Sequence, residues 1–246
     1  MWRGSRRMAP YGRAGRRDAR HREFRPREDY AYVLDFMPVG NPVDRHPWHK
    51  NRPVAQLIGE NFFVLFDASV KPEFSLEVGE RVSLKDVVAE HYDRVRKRRH
   101  MDLHRIEYDD LTSLAKSMLP SIVEQIVRNR EQIFVEFFNI AGPITLRFHS
   151  LELLPSVGKK TVLRILEQRE KEPFKDFEDI ASRVGIDPVK ILVERIVEEL
   201  RGGQRYYLFI EPPRRELQSI ESRPIFLNYL ALIYKRLFGS ESSGGG

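Results

Sequence analysis

The chain has 246 residues, 41% of them hydrophobic and 32% charged, enough to bury the core of one large domain or two small ones. It has no cysteine, which excludes disulfides, thiolate zinc sites, iron–sulfur clusters and a Cys nucleophile. The formal charge of +6 sits at one end: residues 1–28 hold ten arginines against Asp18, Glu23 and Glu28, and the rest is nearly neutral. No segment approaches the roughly 20 apolar residues of a membrane span, and the N-terminus lacks the apolar stretch of a secretory signal. The expectation is a soluble, cytoplasmic protein with no membrane partner.

Residues 1–28 contain no Ile, Leu or Val. Such a segment cannot bury enough surface to order itself, and it reads as a basic arm that binds nucleic acid by counterion release. A solubilising tail is the plain alternative. From Tyr30 the pattern changes. Tyr30-Ala-Tyr-Val-Leu-Asp-Phe-Met37 is β-branched and aromatic and stops at Pro38. Residues 55–58 and 62–66 read as a hairpin turning at Gly59-Glu60-Asn61, and residues 81–84 form a short strand. Residues 84–95 fit a helical stripe with Ser83 as N-cap, and residues 103–108 are the candidate closing strand. Short strands with Gly and Pro turns predict a small antiparallel barrel over residues 29–110.

Helices are expected over residues 111–203. Pro120 suits a first helical position, and Ile122, Val123, Ile126, Ile133, Phe134, Phe137 and Phe138 continue at helical spacing until Gly142-Pro143. Further helices are predicted at 148–154, 159–171, 177–184 and 188–200, ended by Gly202-Gly203. Residues 205–210 read as a strand and 224–238 as a helix with one wide apolar side, suited to docking on this chain or on a protein partner. Residues 239–246 are a flexible tail. The predicted fold class is α+β.

The sharpest local signal is Leu151-Glu-Leu-Leu-Pro-Ser-Val-Gly-Lys-Lys-Thr161. It resembles the helix-hairpin-helix motif, whose turn usually reads Leu-Pro-Gly-x-Gly. Pro155 and Gly158 match, and Ser156 replaces the first Gly. Around Val157, Gly158, Lys159, Lys160 and Thr161 the turn should leave amides free at a helix N-terminus, where the dipole favours a phosphate. Lys159 and Lys160 add charge. A weaker copy follows in residues 177–200, so the first hairpin spans 147–171 and the second 177–200. In the second copy Asp187 and Pro188 stand where phosphate would be served, which makes it mainly structural. The first hairpin also resembles that of base-excision DNA glycosylases, with Lys160 at the Schiff-base position. The acidic setting and base pocket of those enzymes are missing, so no enzymatic activity is expected.

Two other stretches carry charge. The loop at 39–53 holds Arg45, Trp48, Lys50 and Arg52 in a position where small Greek-key barrels touch single strands. His46 and His49 lie there with no third ligand nearby in sequence, so no metal or cofactor is expected. Arg94, Arg96, Lys97, Arg98 and Arg99 make the densest basic run outside the arm, and His100 and His104 sit beside it.

Taken with Pro53-Val-Ala-Gln56, Phe134-Val-Glu-Phe-Phe-Asn139 and His149-Ser-Leu-Glu-Leu-Leu-Pro155, residues 30 to about 210 resemble an uncharacterised archaeal family, domain-of-unknown-function family 655. Its members carry the label of nucleotide-binding proteins and have no established activity. The resemblance implies an OB-like barrel followed by tandem helix-hairpin-helix motifs, with strands near Val87 in place of a helix. The expected function is non-enzymatic nucleic-acid binding, RNA ahead of DNA. The alternative is a protein–protein adaptor in a transcription- or ribosome-related assembly.

Overall fold

The computed structural model describes residues 28–42, 47–93, 97–218 and 223–239. Residues 1–27 of the expected basic arm (1–28), Arg45, Arg94, Arg96 and the tail after 239 lie outside the described residues, as does the side chain of Trp48. Glu28, the arm's last residue, is instead packed against the Asn61 and Phe62 amides.

The first half is a mixed set of short strands. Strands β1 (Tyr30–Met37), β2 (Val54–Gly59), β3 (Leu65–Ser69), β4 (Arg81–Ser83) and β7 (Leu103–Arg105) form one antiparallel sheet in the order β4-β1-β2-β3-β7. Helix α1 (Leu84–Val87) follows β4 directly, and β5 (Glu90–Asp93) pairs with β6 (Arg98–Met101) as a separate hairpin. The helical stripe expected over 84–95 therefore yields one turn of helix and a strand.

Among the described residues no sheet closes, so the expected barrel stays open. The reason is local. β4 has only three residues before α1 turns the chain away, and the hairpin β5–β6 meets the sheet at the end of β3, where Ser69 bonds to Asp102 and Ala89 and Val70 bridges Val88.

Both faces of the sheet are covered, which explains why β2 is buried at every position rather than alternating. On one face Ala31, Val33, Leu57 and Val82 pack with Val87 and Val88 in a small core. On the other, Tyr32, Leu34, Ile58 and Phe63 join the helices in a larger one. A bulge between Val33 and Asp35 shifts the register of β1 against β2. The β2–β3 turn is longer than the sequence suggests. β3 begins at Leu65, with Phe62 buried in the turn and Phe63 at φ 55°.

Helix α2 (Ser113–Asn129) starts earlier than expected, because Thr112 caps it by accepting from the Ala115 amide. Pro120 thus lies inside the helix on its exposed side, where it gives up one bond in the ladder. The aromatic stripe is also split. Arg130 interrupts it before α3 (Glu131–Ile140), and its guanidinium reaches back to Glu60 and Asn61 in the hairpin turn. Glu60 is buried and also takes Arg81 at 2.6 Å.

After α3 the chain forms the small hairpin β8 (Pro143–Thr145) and β9 (Phe148–His149). A 3-10 turn at Ser150–Leu153 stands where a helix was expected. Helices α4 (Lys159–Lys171), α5 (Phe177–Val184) and α6 (Pro188–Arg201) follow, and α6 packs along α2.

The C-terminal segment is more irregular than expected. Of residues 205–210 only β10 (Tyr206–Tyr207) is strand. It lies parallel to β11 (Ile225–Phe226), with α7 (Arg214–Leu217) between them in sequence. The last helix is α8 (Tyr229–Phe238), and it docks on this chain. Leu230 and Ile233 are in the large core, and the Tyr229 hydroxyl bonds to both the Gly142 amide and the Ser150 hydroxyl. Of the two places expected for its apolar side, this chain takes Leu230 and Ile233, while Leu232, Leu237 and Phe238 stay exposed. The large core runs without a break from Tyr32 to Tyr234, across the boundary expected near residue 110.

Candidate functional site

Three places carry chemistry, and the turn before α4 is the first. Val157 donates its amide to the Leu154 carbonyl, and both side chains are buried in the helical core, which fixes the turn. Ser156 has φ 61°, the left-handed region that favours glycine. Pro155 is half-buried and Ser156 exposed.

Gly158 takes the N-cap position of α4 with no side-chain cap, in ordinary extended backbone, and no heavy atom would meet a Cβ there within 4 Å. Its first turn therefore offers the amides of Lys159, Lys160 and Thr161 to the outside, with both lysines exposed. The second turn is different. Asp187 caps α6 by accepting from the Lys190 amide at 3.0 Å, and Asp176 caps α5 in the same way at 2.7 Å. The N-terminus of α6 is thus closed by its own carboxylate.

The second place is the pair of basic loops. Lys50 and Arg52 are exposed around a 3-10 turn at Pro47–Asn51, and Lys97, Arg98 and Arg99 are exposed in hairpin β5–β6, with Lys97 at φ 50°. The position of the 3-10 turn is set by Gly40. At φ 93° it lets the backbone of His49 and Lys50 approach so closely that a Cβ there would stand 2.5 Å from the Lys50 carbonyl oxygen. The Asn41 amide then donates to the His49 carbonyl. His49, at the 3-10 turn, reaches His104 on β7, with ring centroids 5.6 Å apart. The turn before α4 is fixed in the large core through Leu154 and Val157.

The third place was missed in the sequence. Asp102, only 3% exposed, connects β6 to β7. The Ser69 hydroxyl donates to its Oδ2 at 2.6 Å, His104 Nε2 lies 2.8 Å from its Oδ1, and His49 Nε2 and His91 Nδ1 are each 3.7 Å away. Burial pushes the Asp102 carboxyl up, but the His49 imidazole, the Ser69 hydroxyl and His104 outweigh it and hold the group well below the usual carboxylate range. His49 and His104 are separated by 55 positions, so spacing along the chain could not reveal the cluster. The one available signal was the density of histidines between 91 and 104. His100 and His104 lie on strands β6 and β7, not on one helix face.

A cavity of about 480 Å³ lies between the β2–β3 turn, the 105–110 loop and the 209–215 segment. Its rim charges are spent on each other, Arg105 with Glu211 and Arg215 with Asp109. No helix of the described residues is long and apolar enough to cross a membrane.

An open antiparallel sheet backed by a helical core, with tight turns between paired helices, defines a mixed α+β protein. The chain belongs to the family described as Protein of unknown function (DUF655), which matches residues 27–211. It is 39% identical over 186 residues to the uncharacterized protein MJ0038 of Methanocaldococcus jannaschii, covering 75% of this chain and 80% of that protein. It is also similar to the crystal structure of Af1531 from Archaeoglobus fulgidus, another member of the family. That match has 43% identity and a TM-score of 0.63, and covers 75% of this chain and 100% of that one. The family resemblance read from the sequence is borne out.

Proposed function

We propose that this protein binds nucleic acid, RNA ahead of DNA, and does not turn over a substrate. In this reading the sheet is an OB-like half-barrel and α4 to α6 form tandem helix-hairpin-helix units. The observation that carries the proposal is the contrast between the two turns. The α4 N-terminus is uncapped, open at Gly158 and flanked by exposed Lys159 and Lys160, while α6 is closed by Asp187. Exposed amides at a helix N-terminus with two lysines suit a backbone phosphate, which positions a strand without reading its bases. Lys50, Arg52 and Lys97–Arg99 would extend the contact along the strand.

The test is fluorescence anisotropy with labelled RNA and DNA oligomers at several salt concentrations. Replacing Lys159 and Lys160 with Glu should weaken binding to all sequences alike. It should also reduce the slope of log affinity against log salt by about 0.7 per lost contact on single strands. A folded double variant with wild-type affinity would remove the phosphate site. The adaptor reading would then lead, supported by Leu146 and Leu163, which are exposed beside this turn region.

A further inference from the structure

We infer that His49, Asp102 and His104, with His91 beside them, form a binding site for a transition-metal ion of the Zn²⁺ type. Donor atoms of the first three lie within 4.8 Å of one another. Three of the chain's seven histidines contact one buried carboxylate, and a fourth, His100, meets His91 edge to face with ring centroids 3.9 Å apart.

The distances suit the ion. Zinc bonds of 2.0–2.2 Å in a tetrahedron place neighbouring donors roughly 3.3–3.5 Å apart. The 3.7 Å separations of Asp102 from His49 and from His91 need only small closures. The 2.8 Å contact with His104 needs a small opening. An ionised carboxylate with neutral imidazoles is a donor set preferred by Zn²⁺ and its neighbours over Mg²⁺ or Ca²⁺.

Two observations argue against hydrogen bonding alone as the purpose of the cluster. The Nδ1 atoms of His91 and His100 are buried and have no hydrogen-bond partner, a state that folded proteins rarely leave uncompensated. A metal held by the other three donors would satisfy His91 once its ring moved in on the Asp102 side. The carboxylate is also held from behind by Ser69, the kind of outer support that orients metal ligands. His104 and His91 are partly exposed, which gives an ion its way in. The donors come from separate segments of the chain, so the role is structural. The ion would fasten the 3-10 turn at Pro47–Asn51 to the base of hairpin β5–β6 and to β7.

The experiment uses the full chain, stripped with a chelator and retitrated with Zn²⁺ by calorimetry and with Co²⁺ by visible absorption. One equivalent should bind, the Co²⁺ form should show the intense bands of tetrahedral coordination, and Zn²⁺ should raise the melting temperature. Asp102→Asn and His104→Ala should each weaken binding by about a hundredfold or more and abolish the tetrahedral bands. His104→Ala is the safer variant for folding, because that side chain is partly exposed. A wild-type chain that takes up no Zn²⁺ at micromolar concentration would overturn the site. So would a folded His104→Ala chain that binds like wild type. Neither result depends on nucleic acid, so the site and the proposed function stand or fall separately.

Discussion

Ser156 is a residue in the wrong backbone region for its type. With φ 61° it sits where a side chain costs roughly 1–2 kcal/mol relative to right-handed backbone, and where the helix-hairpin-helix motif has glycine. Ser156→Gly relieves that strain but adds freedom to the unfolded chain. The net expectation is a gain on the order of 0.5–1 kcal/mol, read as a higher urea midpoint with an unchanged slope. The exposed hydroxyl makes no other contribution that would reverse the sign. This departure was visible in the sequence, because a single substitution in a short turn declares its own conformational demand. The cluster around Asp102 was invisible for the opposite reason, since its members meet only through strand pairing.

At the scale of an element, the segment after α6 is held by a buried carboxylate. Glu199 accepts the amides of Leu208 at 2.6 Å, Phe209 at 2.9 Å and Ile210 at 2.9 Å, and pairs with Arg195 at 2.8 Å. Burial pushes the Glu199 carboxyl up, against Arg195 and those amides. Glu199→Ala leaves three buried amides without their acceptor and removes the carboxylate partner of Arg195, which keeps only the Tyr206 carbonyl and Gln204, and should cost about 3–5 kcal/mol. Denaturant unfolding measures the loss, and hydrogen exchange should rise first at Leu208 to Ile210.

Helix ends of this kind were readable: α4 and α5 fall where the sequence put them, and α6 extends one residue further. Asp176, Asp187-Pro188, Gly185 and Gly202 mark them by capping chemistry. The strand expected at 205–210 was not readable in the same way. Its amides are taken up by Glu199, a side chain from another element, and this leaves only Tyr206–Tyr207 for strand pairing.

For the whole molecule, stability should depend on pH through Glu28. Its carboxylate accepts from the Asn61 and Phe62 amides, yet burial outweighs these bonds and pushes its pKa from 4.5 up to about 7. The folded state therefore binds more protons than the unfolded one between those values. The contribution of Glu28 is fully present below pH 4.5 and is lost as pH rises through 7. The loss is at most on the order of 3 kcal/mol. Thermal melts from pH 5 to pH 8 should show wild type declining relative to Glu28→Gln, which has no proton to release. Parallel curves would mean that Glu28 titrates normally.

The uninterrupted core has a consequence for the order in which the chain is made. Phe63 packs on Phe134 at 6.2 Å, Phe134 on Phe209 at 5.9 Å, and Phe137 on both Phe209 at 4.8 Å and Tyr229 at 5.0 Å. A strand-rich first third thus leaves the ribosome with the face of Tyr32, Leu34 and Ile58 bare, and its cover arrives only with α2 and α3. The core members from Phe209 to Tyr234 are translated well after α3, so tertiary closure of this core waits until they too have emerged. Until then the growing chain presents an apolar sheet face to its surroundings, the kind of surface on which nascent proteins depend on chaperones.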